Sequence, residues 1–203
     1  MARTADPALQ AQRRAAITGA AAVLFAERGF DATPVTAIAH AVGLSSATVF
    51  HYFGDKRGVF RAIFEQDLAT SRALVERHSE PGDPLAAILD MVAELVEPAT
   101  DPAAAGLVVE VIRQVGHDPL LATILEENDG IVNAGLTHLL RRAHDLIDPA
   151  LDPSATATWI RAIADSAFLY ASDPGAVEPV DTIRTIVLRY LTGHEERASN
   201  DQA

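Results

Sequence analysis

Apolar residues along the chain recur at the three- and four-residue spacing of helices, and strand-like alternation is nearly absent. Segment 10–28 places Ile17, Ala21, Leu24 and Phe25 on one face and is followed by Gly29, a helix stop. Thr33-Pro34 reads as a cap followed by proline at the first helical position, opening a short helix with Val35, Ile38 and Ala39 inward. Val42-Gly43-Leu44 reads as a tight turn in which Gly43 supplies backbone freedom. Ser45 then caps a third helix ending near Phe53, and Asp55 caps a fourth reaching about His78. Beyond "SEPGDP" (79–84), helices are expected over 84–97, 102–116, 119–147, 153–171 and 179–193. Each break between them carries proline with a capping carboxylate or hydroxyl. The fold class predicted is all-α, with a frayed tail "GHEERASNDQA".

Composition narrows the function. With 203 residues, 49% hydrophobic and 22% charged, the chain can bury a core and does not resemble a disordered one. The absence of cysteine excludes disulfides, thiolate metal sites and cysteine nucleophiles. No signal-peptide pattern and no membrane-length apolar run occur, so a soluble cytoplasmic protein with no membrane partner is expected. No Glu-x-x-His, glycine-rich phosphate loop or nucleophile motif is present. "HDLID" (144–148) has no matching ligands elsewhere, so neither catalysis nor a metal or cofactor is expected. The net charge of −12 argues at first against nucleic acid, but residues 1–61 carry +3 and the remainder −15. A mildly cationic head on an anionic body follows, although an acidic surface serving solubility alone explains the body as well.

One stretch gathers unusual chemistry. "LSSATVFHYFGDK" (44–56) holds three hydroxyl side chains, three aromatics, a histidine and the only lysine. Two short helices joined by a glycine turn form a helix-turn-helix, whose second helix can enter the major groove of DNA. With Ile38, Ala39, Leu44, Val49 and Phe53 as its small core, Ser45, Ser46, Ala47, Thr48, His51 and Tyr52 remain outside. Hydroxyls and imidazole can bond phosphates or base edges, and an alanine methyl can touch a thymine methyl. Phe50, which cannot hydrogen-bond, is expected to pack. Lys56 falls in the first turn of the next helix, where its charge opposes the helix dipole; an external anion is a reason to keep it there.

Residues 25–60, "FAERGFDATPVTAIAHAVGLSSATVFHYFGDKRGVF", resemble the DNA-binding domain of the TetR family of bacterial transcriptional regulators. The match runs through Gly29-Phe30, Thr33, Ile38-Ala39, the Val42-Gly43-Leu44-Ser45 turn, Thr48-Val49-Phe50, Phe53 and Lys56. The resemblance implies that Thr33 and Thr36 approach the DNA backbone and that Ser45, Ser46, Ala47 and Thr48 enter the groove. His51, Tyr52 and Lys56 join them; Arg57 stands where the family often has an acidic residue, so there it is a departure expected to add a phosphate contact. It further implies a DNA-binding domain over 1–54, an effector-binding and dimerisation domain over 55–195, and a flexible tail over 196–203. The expected function is a repressor that binds palindromic double-stranded DNA as a homodimer and is released by a small-molecule effector. An activator, or a helical interaction module that never meets DNA, are the alternatives.

Two parts of the body bear on that expectation. Glu110, Arg113, Gln114 and His117 form one polar stripe on an otherwise apolar helix. Facing inward, they would line a cavity for a polar ligand; facing water, they form a weak surface pair. His138, Trp159 and Phe168 are further candidate pocket walls. The resemblance assigns pairing to the last two long helices, with Trp159, Ile163, Ala167 and Tyr170 on one and Ile183, Ile186, Val187 and Tyr190 on the other. Packing within one subunit would produce the same stripes.

Overall fold

A computed structural model describes residues 6–170 and 178–193. In chain order the helices are α1 (Pro7–Arg28), α2 (Val35–Ala41), α3 (Ser46–Phe53), α4 (Lys56–His78), α5 (Pro84–Val96), α6 (Pro102–Val115), α7 (Pro119–Arg142), α8 (Pro153–Tyr170) and α9 (Pro179–Thr192), with a short 3-10 turn at Glu97–Thr100. No strand occurs among the described residues, so the fold is all-α. Prolines do the punctuation: six helices have proline as their first residue, a position whose missing N–H is no loss. Asp6 and Asp83 complete two of these starts by accepting from the backbone N–H groups of Ala8, and of Leu85 and Ala86.

The chain divides into two compact units, residues 1–67 with 106–125, and 68–105 with 126–203. The first is organised around Phe25, Phe30, Phe60 and Phe64, whose rings meet at centroid separations of 5.2 to 5.5 Å, mostly edge to face. Ile17, Ala21, Ile38, Ala39, Val49 and Leu121 close this core. The second unit packs α5, α8 and α9 together over Ile88, Met91, Val92, Val96, Ile160, Val187 and Leu191, with Leu136, Leu139 and Leu140 from α7.

Several expectations are adjusted. Thr33 is not the cap of α2. Pro34 occupies that place without a side-chain bond, and the Thr33 hydroxyl turns inward to the carbonyls of Leu24 and Gly29. The helix expected over 119–147 stops at Arg142, although Ala143 and Ile147 remain buried in the turn that follows. The break "EPATDP" contains the 3-10 turn. The end of the helix expected over 153–171, the break before α9 and the tail fall outside the described residues.

Candidate nucleic-acid interface

The α2–α3 unit is built by short-range bonds. After α2 the chain reverses at Gly43, whose φ of 66° lies in the left-handed region that glycine tolerates. Leu44 N–H reaches back to the Ala39 carbonyl at 2.9 Å, closing the turn. Ser45 caps α3: its Oγ accepts from the Thr48 N–H at 3.1 Å and lies 2.9 Å from the Thr48 hydroxyl. Val49 is the fully buried residue of α3, and Leu44, Tyr52 and Phe53 are partly buried against the same core. Asp55 accepts from Gly58 N–H at the start of α4. A Cβ on Gly58 would lie 2.0 Å from the Phe53 carbonyl oxygen, so only glycine lets α4 begin this close to the end of α3.

Placed on this frame, the nominated DNA residues separate. Thr36, Ser45, Ala47 and His51 are exposed; Ser46, Thr48 and Tyr52 are half-buried. Thr33 is buried with its hydroxyl satisfied internally, so it shapes the corner between α1 and α2 instead of facing outward. The Lys56 ammonium donates to the carbonyls of Phe30 and Asp31 at 2.8 and 3.4 Å and sits 4.4 Å from the Phe30 ring centroid. Its charge therefore has internal partners, which offset the unfavourable dipole without an external anion. Arg57 turns toward the α6–α7 corner, donating to the His117 carbonyl at 3.5 Å and lying 3.9 Å from Asp118. Arg61 binds both Asp118 carboxylate oxygens, and Asp118 also accepts from Leu121 N–H at the start of α7.

Phe50 departs from its expected packing role: it is 45% exposed. The reason is angular. At 100° per residue Phe50 points well away from Val49, and Phe53 and Tyr52 already fill the arc toward the core. The expectation of packing rested on the ring's lack of a hydrogen-bonding group, while helical phase alone would have placed it outside.

Of the body's nominated ligand residues, Glu110, Arg113 and His117 lie in the first unit, where Arg113 approaches Glu110 at 3.8 Å, and His138, Trp159 and Phe168 lie in the second. Glu110 and Gln114 are buried in the first unit and bonded to each other, Gln114 Nε2 donating to Glu110 Oε1 at 2.9 Å. Arg113 and His117 are exposed, so the stripe splits between core and water. His138, Trp159 and Phe168 belong to the second unit, where His138 and Trp159 are exposed and Phe168 packs on the core. A polar cluster the spacing only hinted at lies on α7 and α8: Arg161 binds Asp129 at 2.5 Å and Asp165 at 3.1 Å. The i, i+4 pair Arg161–Asp165 was readable; the contact with Asp129, 32 residues away, was not.

The nominated pairing residues also divide. Ala167, Ile183 and Val187 are buried in the second unit's core, and Ile163 packs against it. Trp159 and Tyr170 remain 63% and 66% exposed, with Ile186 and Tyr190 outward on α9. Among the described residues no group of three or more His, Asp or Glu side chains could hold a metal, and no helix is long and apolar enough to cross a membrane.

Comparison with known proteins accords with this geometry. Residues 17–63 match the family described as bacterial regulatory proteins, tetR family. Residues 84–194 match the C-terminal domain described as BetI-type transcriptional repressor. The HTH-type transcriptional regulator BetI of Stenotrophomonas maltophilia is 30% identical over 166 residues, covering 79% of this chain and 81% of that protein. The HTH-type transcriptional regulator YezE of Bacillus subtilis is 29% identical over 126 residues, covering 60% of this chain and 65% of that protein. The crystal structure of a TetR transcription regulator from Haloarcula marismortui shares the fold, with a TM-score of 0.77 at 21% identity over 89% of this chain and 97% of that one. The chain belongs to the TetR family of bacterial transcriptional regulators, DNA-binding proteins and not enzymes.

Proposed function

We propose that the protein is a ligand-responsive repressor that binds a palindromic operator as a homodimer and is released by a small molecule. The observation that carries this reading is the outward face of α3, which presents Ala47, His51 and the Ser45 edge to solvent, with no acidic side chain on the helix. Such a face suits a major groove, and two copies related by a twofold axis suit an inverted repeat. Residues 1–54 then act as the DNA-binding portion and 55–195 as the effector-binding and pairing portion. The exposed Trp159, Tyr170, Ile186 and Tyr190 support pairing through α8 and α9. The match of 84–194 to a repressor-type C-terminal domain supports repression.

Release follows from linkage. If the effector binds more tightly to a dimer whose α3 helices no longer match successive groove faces, DNA and effector each weaken the other's binding by the same factor. The test is selection of a randomised duplex library by the purified protein at moderate salt. An enriched inverted repeat is expected, and that duplex then serves as the probe in a small-molecule screen for release. A bound pool without a repeat would refute the dimeric operator reading.

A further inference from the structure

Helix α3 has eight residues, about two turns, and a helix that short does not hold itself in water. Its orientation depends on what grips its two ends. Ser45 closes the start through the Thr48 N–H. At the other end the carbonyls of Phe50 and Phe53 accept from the backbone N–H groups of Gly54 and Asp55 at 2.8 and 2.9 Å. The Tyr52 carbonyl accepts instead from a side chain 38 residues earlier, Arg14 Nη1 on α1, at 2.9 Å. The same guanidinium lies over the Phe53 ring, its carbon 4.5 Å from the centroid, and Nη2 lies 3.9 Å from Glu65 on α4. One side chain of α1 thus reaches both α3 and α4, and it sets a positive charge at the negative end of the α3 dipole.

We infer that Arg14 is a positioning residue for operator binding: it fixes the C-terminal end of α3, and with it the angle at which that helix is presented, without itself bonding DNA. This rests on the operator-binding reading above. The Arg14 side chain is 44% exposed, so a phosphate contact is the rival role. The geometry favours positioning. A planar guanidinium can donate in its plane to a carbonyl while its face covers a ring, a combination that the point charge of lysine lacks. A phosphate asks chiefly for positive charge and accepts lysine as well. Base contacts need α3 at one angle, whereas phosphate contacts carry no sequence information and are made on any duplex. Loosening the end of α3 therefore costs specific binding and spares non-specific binding.

The test uses the full-length protein, the duplex recovered by library selection and a scrambled duplex of the same length. Affinities are measured by fluorescence anisotropy over a salt series, at a temperature where circular dichroism shows every variant folded. Arg14→Ala should weaken operator binding about tenfold or more, the size of one hydrogen bond to a charged group. Its affinity for the scrambled duplex should stay within about twofold of wild type, and the slope of log affinity against log salt should not change. Arg14→Lys should lose nearly as much operator affinity as Arg14→Ala, although it keeps the charge. Hydrogen exchange without DNA gives a second reading: the α3 amides of both variants should exchange faster than those of wild type, with α8 unchanged. Weakening on both duplexes with a shallower salt slope, rescued by lysine, would make Arg14 a phosphate contact and overturn the inference. Operator affinity unchanged in Arg14→Ala, or α3 amides as protected as in wild type, also overturns it and leaves operator binding standing. Failure to select any duplex overturns both.

Discussion

The Thr33 hydroxyl lies 3.1 and 2.8 Å from the carbonyl oxygens of Leu24 and Gly29, on a side chain with no exposed surface. Its task is to tie the end of α1 to the turn before α2. Thr33→Val keeps the shape and removes the donor, so it should cost about 1 kcal/mol of stability. Operator affinity per folded molecule and its salt slope should stay unchanged. Urea unfolding and anisotropy titrations over a salt series check both; a shallower slope would return Thr33 to the phosphate backbone. Side-chain destinations of this kind are poorly legible in sequence. A threonine before a proline is a reasonable cap, and nothing local reveals that two carbonyls compete for its hydroxyl. Lys56 is similar: its position argued for an external anion, whereas the carbonyls of Phe30 and Asp31, 25 or more residues earlier, receive the charge. Ser45 and Asp55 were legible because their partners lie three residues away.

At the scale of elements, starts were read better than ends. Proline and a capping side chain act locally and fix a start, but a helix end depends on what the following residues find to bury. The apolar period of α7 continues through Ala143 and Ile147, yet both reach the core from a turn, so periodicity overran the true end at Arg142. The stripe on α6 broke for a related reason: His117 lies beyond Val115, where helical phase no longer applies, and the long Arg113 side chain reaches water. The end of α4 is clamped to α5 by Glu94, which accepts from Arg77 and, at 2.8 Å, from His78. Partial burial pushes the Glu94 carboxyl up, but the hydrogen bonds and positive charge of Arg77 and His78 outweigh it and hold the group below its ordinary 4.5. The unfolded chain therefore binds this proton more readily than the folded one. The clamp's contribution is complete above the ordinary carboxylate range and is lost as pH falls through the lowered value. Because the Glu94 side chain is 41% exposed, the effect is screened and modest. Glu94→Gln should lower the urea midpoint at pH 7, and the gap from wild type should close as the pH is taken down toward 3. A gap that persists at low pH would show that packing, and not charge, holds the two helices.

For the whole molecule, the fold class and the helix-turn-helix were legible because they rest on periodicity and turn chemistry, which neighbouring residues determine. The division of α8 and α9 into core and free faces was not, since both faces are apolar and only the packed structure separates them. Ala167, Ile183 and Val187 go inward, while Trp159, Tyr170, Ile186 and Tyr190 stay outside. Trp159 and Tyr170 lie eleven residues apart, three turns of helix, and so share one side of α8; Ile186 and Tyr190, one turn apart, share one side of α9. An isologous pair formed through these faces would place aromatic anchors at its centre, the residues that dominate interface energetics. Trp159→Arg combined with Ile186→Glu changes only exposed side chains, so circular dichroism should report an unaltered helical fold. Sedimentation should then show a single chain where wild type sediments as two. On the selected operator the double variant should lose at least about a hundredfold in affinity, because one head in place of two forfeits the effective concentration that joins the half-sites. Its own library selection should return a half-site without the inverted repeat. A variant that still sediments as a dimer would place the pairing surface elsewhere. One that becomes monomeric yet keeps its operator affinity would show that a single head suffices.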